Sequence, residues 1–87
     1  MEQLAKLSRF EDKVAKRYHE IMDPSNSNQR SRFYVSLQDF RRYEKNLRGK
    51  IEFNKCDELE ALNASSRRIS FLVESVERRY QESQWAA

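Results

Sequence analysis

Apolar residues recur along this chain at intervals of three and four, the spacing that lines one face of a helix. The first run is Leu4, Leu7, Val14, Tyr18 and Ile21, widened by Phe10, Ala15 and Met22, with one charged gap in its seam at Glu11. It predicts an amphipathic helix over about residues 3–22. Pro24 pushes Asp23 out of the α region, and Ser25, Asn26, Ser27 and Asn28 compete for their own backbone groups, so the helix is expected to stop near Met22.

A second helix is predicted over about residues 28–48, after a cap chosen from Ser25, Asn26 or Ser27. Asn26 with Gln29 three residues on has the form of a capping box. The stripe is Phe33, Leu37, Phe40, Leu47 and Ile51, with Glu44 in the seam and Tyr34, Val35 and Tyr43 on its flanks. Gly49 is the expected stop, as a C-terminal cap after Arg48. Lys50 to Cys56 reads as a connection.

The third helix, over about residues 57–84, opens at Asp57, where Asp57, Glu58 and Glu60 suit the positive end of a helix dipole. Leu59, Leu62, Ile69, Val73, Val76 and Tyr80 carry its stripe, with Phe71 and Leu72 beside them. Asn63-Ala64-Ser65-Ser66 is its weakest stretch, and Ser66 places a polar group in the seam, so this is where the helix would kink or break if it did so anywhere.

Short loops between long amphipathic segments make neighbours antiparallel. The fold class is all-α: one domain over residues 1–87, an up-down-up three-helix bundle with the third helix longest. That helix is expected to overhang the others and expose Val76, Tyr80 and Trp85, a surface that self-association into a larger bundle would cover.

Composition agrees with helix throughout. Gly49 and Pro24 are the only glycine and proline in 87 residues, and 36% of the chain is charged. Such a chain builds few tight hairpins, phosphate-cradling loops or strained nucleophile turns. Cys56, the single cysteine, has no internal disulfide partner, and the start of the chain lacks a basic-then-apolar signal; an intracellular, cytoplasmic location is the expectation. No apolar run approaches the roughly 18 residues of a membrane span. The glycosylation triplet Asn63-Ala64-Ser65 has no consequence in that compartment.

No cluster matches the spacing of a known chemistry. His19, the only histidine, lacks companion ligands and reads as a solvated imidazole beside Glu20 and Asp23. Cys56 reads as a small residue at a helix junction, with Lys55 lowering its thiol pKa and Asp57 and Glu58 opposing. The acidic pairs Glu11-Asp12, Asp57-Glu58-Glu60 and Glu74 with Glu77 sit among basic residues or at a helix start, where ion pairing and capping account for them. No enzyme activity, cofactor, metal or small-molecule substrate is expected.

Charge is uneven. Residues 28–50 carry Arg30, Arg32, Arg41, Arg42, Lys45, Arg48 and Lys50 against Asp39 and Glu44, a net of +5, whereas residues 1–27 balance and residues 51–87 come to −2. Arg41, Lys45 and Arg48 share a helical face, and with Arg42 they form a candidate nucleic-acid contact with Tyr34 and Tyr43 as stacking groups. The ordinary reading of such a face is solvation and pairing with neighbouring acids. Arg67-Arg68 and Arg78-Arg79, eleven residues apart, project from one side of the third helix and suit an acidic partner surface. Arg67-Arg68-Ile69-Ser70 has the form basophilic kinases accept, although a helical setting hides its backbone.

Aromatics off the stripes, together with arginine, are what protein interfaces enrich. The reading favoured is therefore a non-enzymatic helical protein–protein interaction module, an adaptor, regulator or subunit, with Arg41, Tyr43, Phe71, Arg78 and Trp85 meeting the partner. A nucleic-acid-associated protein is the alternative. A third reading comes from Asp23-Pro24-Ser25-Asn26-Ser27, which over five residues resembles the Pro-Ser-Asn-Pro turn of type III secretion needle proteins, departing from it at Ser27. That resemblance implies a small structural subunit of a secretion apparatus; phage structural subunits are hairpins of similar size.

Overall fold

The computed structural model describes residues 2–51 and 56–86. It contains α1 (Glu2–His19), α2 (Ser27–Lys50) and α3 (Cys56–Ala86). Helix α1 packs against both others, and cross-helix contacts fix the directions. Glu11 meets Ser65 and Tyr18 meets Ser75, so α1 and α3 run parallel. Tyr43 meets Gln3, Phe33 meets Tyr18, and Arg48 meets Asn63, so α2 runs against both. The result is the up-down-up bundle, a rod of 51 × 18 × 16 Å.

The core is the sum of the three predicted stripes. Leu7, Val14 and Ile21 from α1 and its exit, Phe33, Leu37, Phe40 and Leu47 from α2, and Leu62, Ile69 and Val76 from α3 are buried together. Leu4, Phe10, Tyr18, Tyr34, Tyr43, Ile51, Leu59, Leu72 and Val73 close its edges. Fully burying one such aliphatic or aromatic side chain is worth roughly 1.5–3 kcal/mol, which is why seven-residue spacing dominates the choice of fold.

Several expectations need correction. Helix α1 ends at His19 rather than near Met22: the Glu20 and Ile21 amides turn back onto Lys16, Arg17 and Tyr18, and Met22 is left 81% exposed instead of widening the stripe. The turn that follows is held by polar side chains. Asp23 Oδ1 accepts from the Ser25 amide and hydroxyl, which holds its carboxyl below the usual range. Asn26 caps α2 by accepting from the Asn28 and Gln29 amides. Only half of the capping box forms, because the Gln29 amide oxygen reaches past Asn26 to the amides of Met22 and Asp23.

Gly49 does not stop α2. The helix continues to Lys50, the cap is Ile51 in extended conformation, and among the described residues no backbone has a positive φ. The connection expected between Lys50 and Cys56 lies largely outside the described residues, as does the Cys56 thiol.

Helix α3 runs unbroken through Asn63-Ala64-Ser65-Ser66. The buried polar group there is Ser65, whose hydroxyl finds an acceptor on α1, rather than Ser66. Finally, the overhang is shorter than expected. Val76 is buried and Tyr80 is half-covered, with the Arg30 guanidinium 3.9 Å above its ring, so only the last turns, with Trp85, project past the α1–α2 turn.

Candidate functional site

Two polar attachments set the register of α3 on α1. Arg68 donates from Nε to Glu11 Oε2 at 2.6 Å and from Nη2 to Glu11 Oε1 at 2.9 Å, while the Ser65 hydroxyl donates to Glu11 Oε1 at 2.9 Å. The Arg68 bonds, with help from Ser65 and against the effect of burial, hold the Glu11 carboxyl below the usual glutamate range. Ten residues along α3, the Tyr18 and Ser75 hydroxyls share a 2.7 Å hydrogen bond, and Arg79 donates to the Ile21 carbonyl at 3.1 Å. Together these fix which residues of α3 face outward.

Phe71, Arg78 and Trp85 are all on that outward side. They are exposed, with Phe71 at 66% and Trp85 at 82%, and their spacing of seven residues puts them in one stripe opposite the buried Leu62, Ile69 and Val76. Arg67 and Glu74 lie beside them at helical spacing, both exposed. Large apolar side chains in such numbers on an outer helix face are not needed for the fold.

The other two residues expected to meet a partner lie elsewhere. Tyr43 sits in the α1–α2 seam: its ring stacks on Phe10 at 5.1 Å, its hydroxyl donates to the Gln3 carbonyl at 3.2 Å, and the Lys6 ammonium lies 5.4 Å from the ring centre. Arg41 lines a shallow groove between α2 and α3 with Lys45, Arg48, Ser66 and Ser70. In that groove Arg48 donates to Asn63 Oδ1 at 2.9 Å and to Glu44 Oε1 at 3.1 Å. Arg42, the fourth member of the candidate nucleic-acid set, is turned about 100° from Arg41, toward the α1 side. The set spans about 120° of arc on α2, and one of its cations, Arg48, is engaged within the bundle.

A second basic surface lies on α1, where the sequence sums to zero. Lys6, Arg9, Lys13, Lys16 and Arg17 fall within about 100° of arc on the helix. Lys6, Arg9, Phe10 and Lys13 line one hollow, and Lys13 continues into a second groove with Arg17, Asn28, Ser31 and Arg32. Glu11 is turned away to Arg68, and Asp23 is held in the turn by Ser25. Asp12 stays exposed on the adjacent strip, and Glu20 stays beside the cations: it accepts from Arg17 at 2.8 Å, and that bond, then the nearby charges of Arg17, Lys16 and Arg32, lowers its pKa.

His19 is exposed, with its ring edge-on to Tyr18 at 5.2 Å. Among the described residues no three His, Cys, Asp or Glu side chains gather as metal ligands, and no helix is long and apolar enough to cross a membrane. Comparison of the chain with protein families, curated proteins and solved structures finds no match.

Proposed function

We propose that this chain is a non-enzymatic helical protein–protein interaction module, a subunit that assembles through the outer face of α3, and that the first helix it meets there is α3 of a second copy. The observation that carries this reading is the exposed Phe71–Arg78–Trp85 stripe. A seven-residue repeat on a helix surface is the pattern a second helix packs against.

The charge order along the stripe fits a copy of itself. When two α3 helices lie antiparallel in a register centred at the level of Val76, each residue faces one whose number brings the pair to 152. Glu74 then faces Arg78 of the partner subunit, twice by symmetry, and Arg67 faces Trp85 of the partner subunit. The first pair supplies register through opposite charges, and the second sets a guanidinium against an indole face. The ion pairs among the described residues are Arg17–Glu20, Arg48–Glu44 and Arg68–Glu11, so Glu74 and Arg78 enter the contact with their charges uncommitted to those pairs. Isologous contacts of this type close at two copies.

Sedimentation equilibrium between about 10 and 300 µM tests it, a range matched to a modest helix–helix contact. A dimer is expected, monomeric after Arg78→Glu and dimeric again in the Glu74→Arg/Arg78→Glu double variant, where the charges are exchanged but still complementary. A wild-type monomer across that range, or a dimer indifferent to Arg78→Glu, overturns the proposal.

A further inference from the structure

We infer that the basic ridge of α1, extended by Arg32 of α2, is a binding site for the phosphodiester backbone of duplex nucleic acid. It is separate from the α3 stripe and from the arginines of the α2–α3 groove. From Lys6 to Arg17 the ridge rises eleven residues, about 16 Å along the helix axis. Over that length one strand of a duplex presents about five phosphates, at 3.4 Å of axis each. Lys6, Arg9, Lys13 and Lys16 are exposed along this length, Arg17 is half-buried at its end, and Arg32 projects from the far wall of the groove.

Three features favour a phosphate chain over other anions. The cations form a line rather than a cup, so they suit a repeating charge and not a single one. Asn28 and Ser31 line the groove between Arg17 and Arg32, where they supply neutral hydrogen bonds of the type phosphate oxygens accept, and the first turn of α2 carries no acid. The apolar groups beside the ridge are Phe10, half-buried under Tyr43, and Val35, which is too little surface to insert into a bilayer. Among the described side chains the opposing charges are Glu20, bound to Arg17; Asp12 on the adjacent strip of α1; and Asp39, one turn beyond Val35 on α2. With Arg17 engaged by Glu20, five cations remain for phosphate.

Fluorescence anisotropy of a labelled 20-base-pair mixed-sequence DNA duplex tests this. Micromolar binding is expected near 50 mM salt, with log K falling against log salt at a slope of roughly −4 to −5, the value for about five neutralised phosphates. Arg9→Glu/Lys13→Glu should weaken binding at least tenfold and flatten the slope by about two. Arg41→Glu/Lys45→Glu, of equal charge change, should weaken it less than threefold. All four residues are exposed, so circular dichroism is expected to show both variants folded; Arg9→Gln/Lys13→Gln, which reverses no charge, should give a smaller loss in the same direction. No binding at 50 mM salt, or equal losses from the two charge-reversed pairs, overturns the proposal. So does ridge-dependent binding to vesicles containing a quarter phosphatidylserine that is tighter than binding to the duplex.

Discussion

Arg68 grips Glu11 across the α1–α3 seam with two parallel hydrogen bonds, although 57 residues separate them in sequence. Glu11 occupies the seam position between Leu7 and Val14, where the heptad calls for an apolar side chain. Its side chain is 16% exposed while that of Arg68 is 60% exposed, so an acid near the core is neutralised by a base that remains in water.

This arrangement makes part of the stability dependent on acid pH. The Glu11 pKa is lowered on folding, so its contribution is complete above the ordinary value of 4.5 and is lost as pH falls through the lower folded value. Because Arg68 is solvated, the contribution is about 1 kcal/mol. Urea denaturation of the wild type and Glu11→Gln at pH 6 should differ by that amount, and the gap should close toward pH 3. Glu20 and Asp23 also have lowered pKa values, so the whole curve moves with pH, and the difference between the two proteins isolates Glu11. A gap constant from pH 6 to 3 contradicts the assignment.

The polar layer at this level is expected to determine register rather than add stability. Removing one partner leaves the other unsatisfied, so Glu11→Ala or Ser65→Ala alone should cost about 1–2 kcal/mol. Replacing both in Glu11→Leu/Ser65→Ala completes the apolar seam and leaves Arg68 in solvent. The double variant should match or exceed the wild type by about 1 kcal/mol in chemical denaturation. A double variant less stable than either single one shows that the layer is a net stabiliser.

The apolar seams were readable because helical spacing is local: every buried apolar residue from Leu7 to Val76 lies on a stripe visible in the chain. Glu11 was also visible, as a gap in its seam. Its partners were not, because pairing Glu11 with Arg68 and Ser65 requires the register of α1 on α3, which no local pattern carries. The same limit explains Tyr43, whose flank position suited a surface until α1 brought Phe10 against its ring. It also explains the basic ridge. Residues 1–27 sum to zero, and only folding turns Glu11 to α3 and ties Asp23 to Ser25, leaving the cations together.

Arg30 tests how the projecting end of α3 is held. Its guanidinium lies over the Tyr80 ring at 3.9 Å, but its buried Nε has no hydrogen-bond partner. An unsatisfied buried donor costs about 1–3 kcal/mol, and the cation–π contact returns about 0.5–2. Arg30→Met keeps the packing over Tyr80 and removes the donor, so thermal stability should stay within about 0.5 kcal/mol of the wild type or rise. Arg30→Ala also removes the cover and should lose about 1–2 kcal/mol, with faster hydrogen exchange in residues 80–86. Equal losses for Met and Ala assign the effect to charge instead of packing.

Beside the same site, burial, then the charge of Glu77, raises the Tyr34 pKa above its ordinary value of 10, against a smaller opposing effect of Arg30. A tyrosine with a raised folded pKa is held neutral, so its stabilisation is complete below pH 10 and is lost as pH climbs through the folded value. Absorbance titration at 295 nm should show a late ionisation step above the ordinary tyrosine value, and Tyr34→Phe should remove that step. A late step that survives Tyr34→Phe belongs to another ring.

Gly49 offers the simplest route to a more stable chain. It lies inside α2 with a helical backbone, and a Cβ built on it meets nothing within 4 Å. Glycine in a helix costs up to about 1 kcal/mol relative to alanine, largely through the freedom it retains in the unfolded chain. The position is one residue from the helix end, where fraying weakens propensity, so about 0.5 kcal/mol is expected from Gly49→Ala. In a chain of this size that raises Tm by about 2–4 °C. A fall in Tm instead would mean that the chain in solution uses the left-handed cap that glycine permits, and that α2 stops at Arg48.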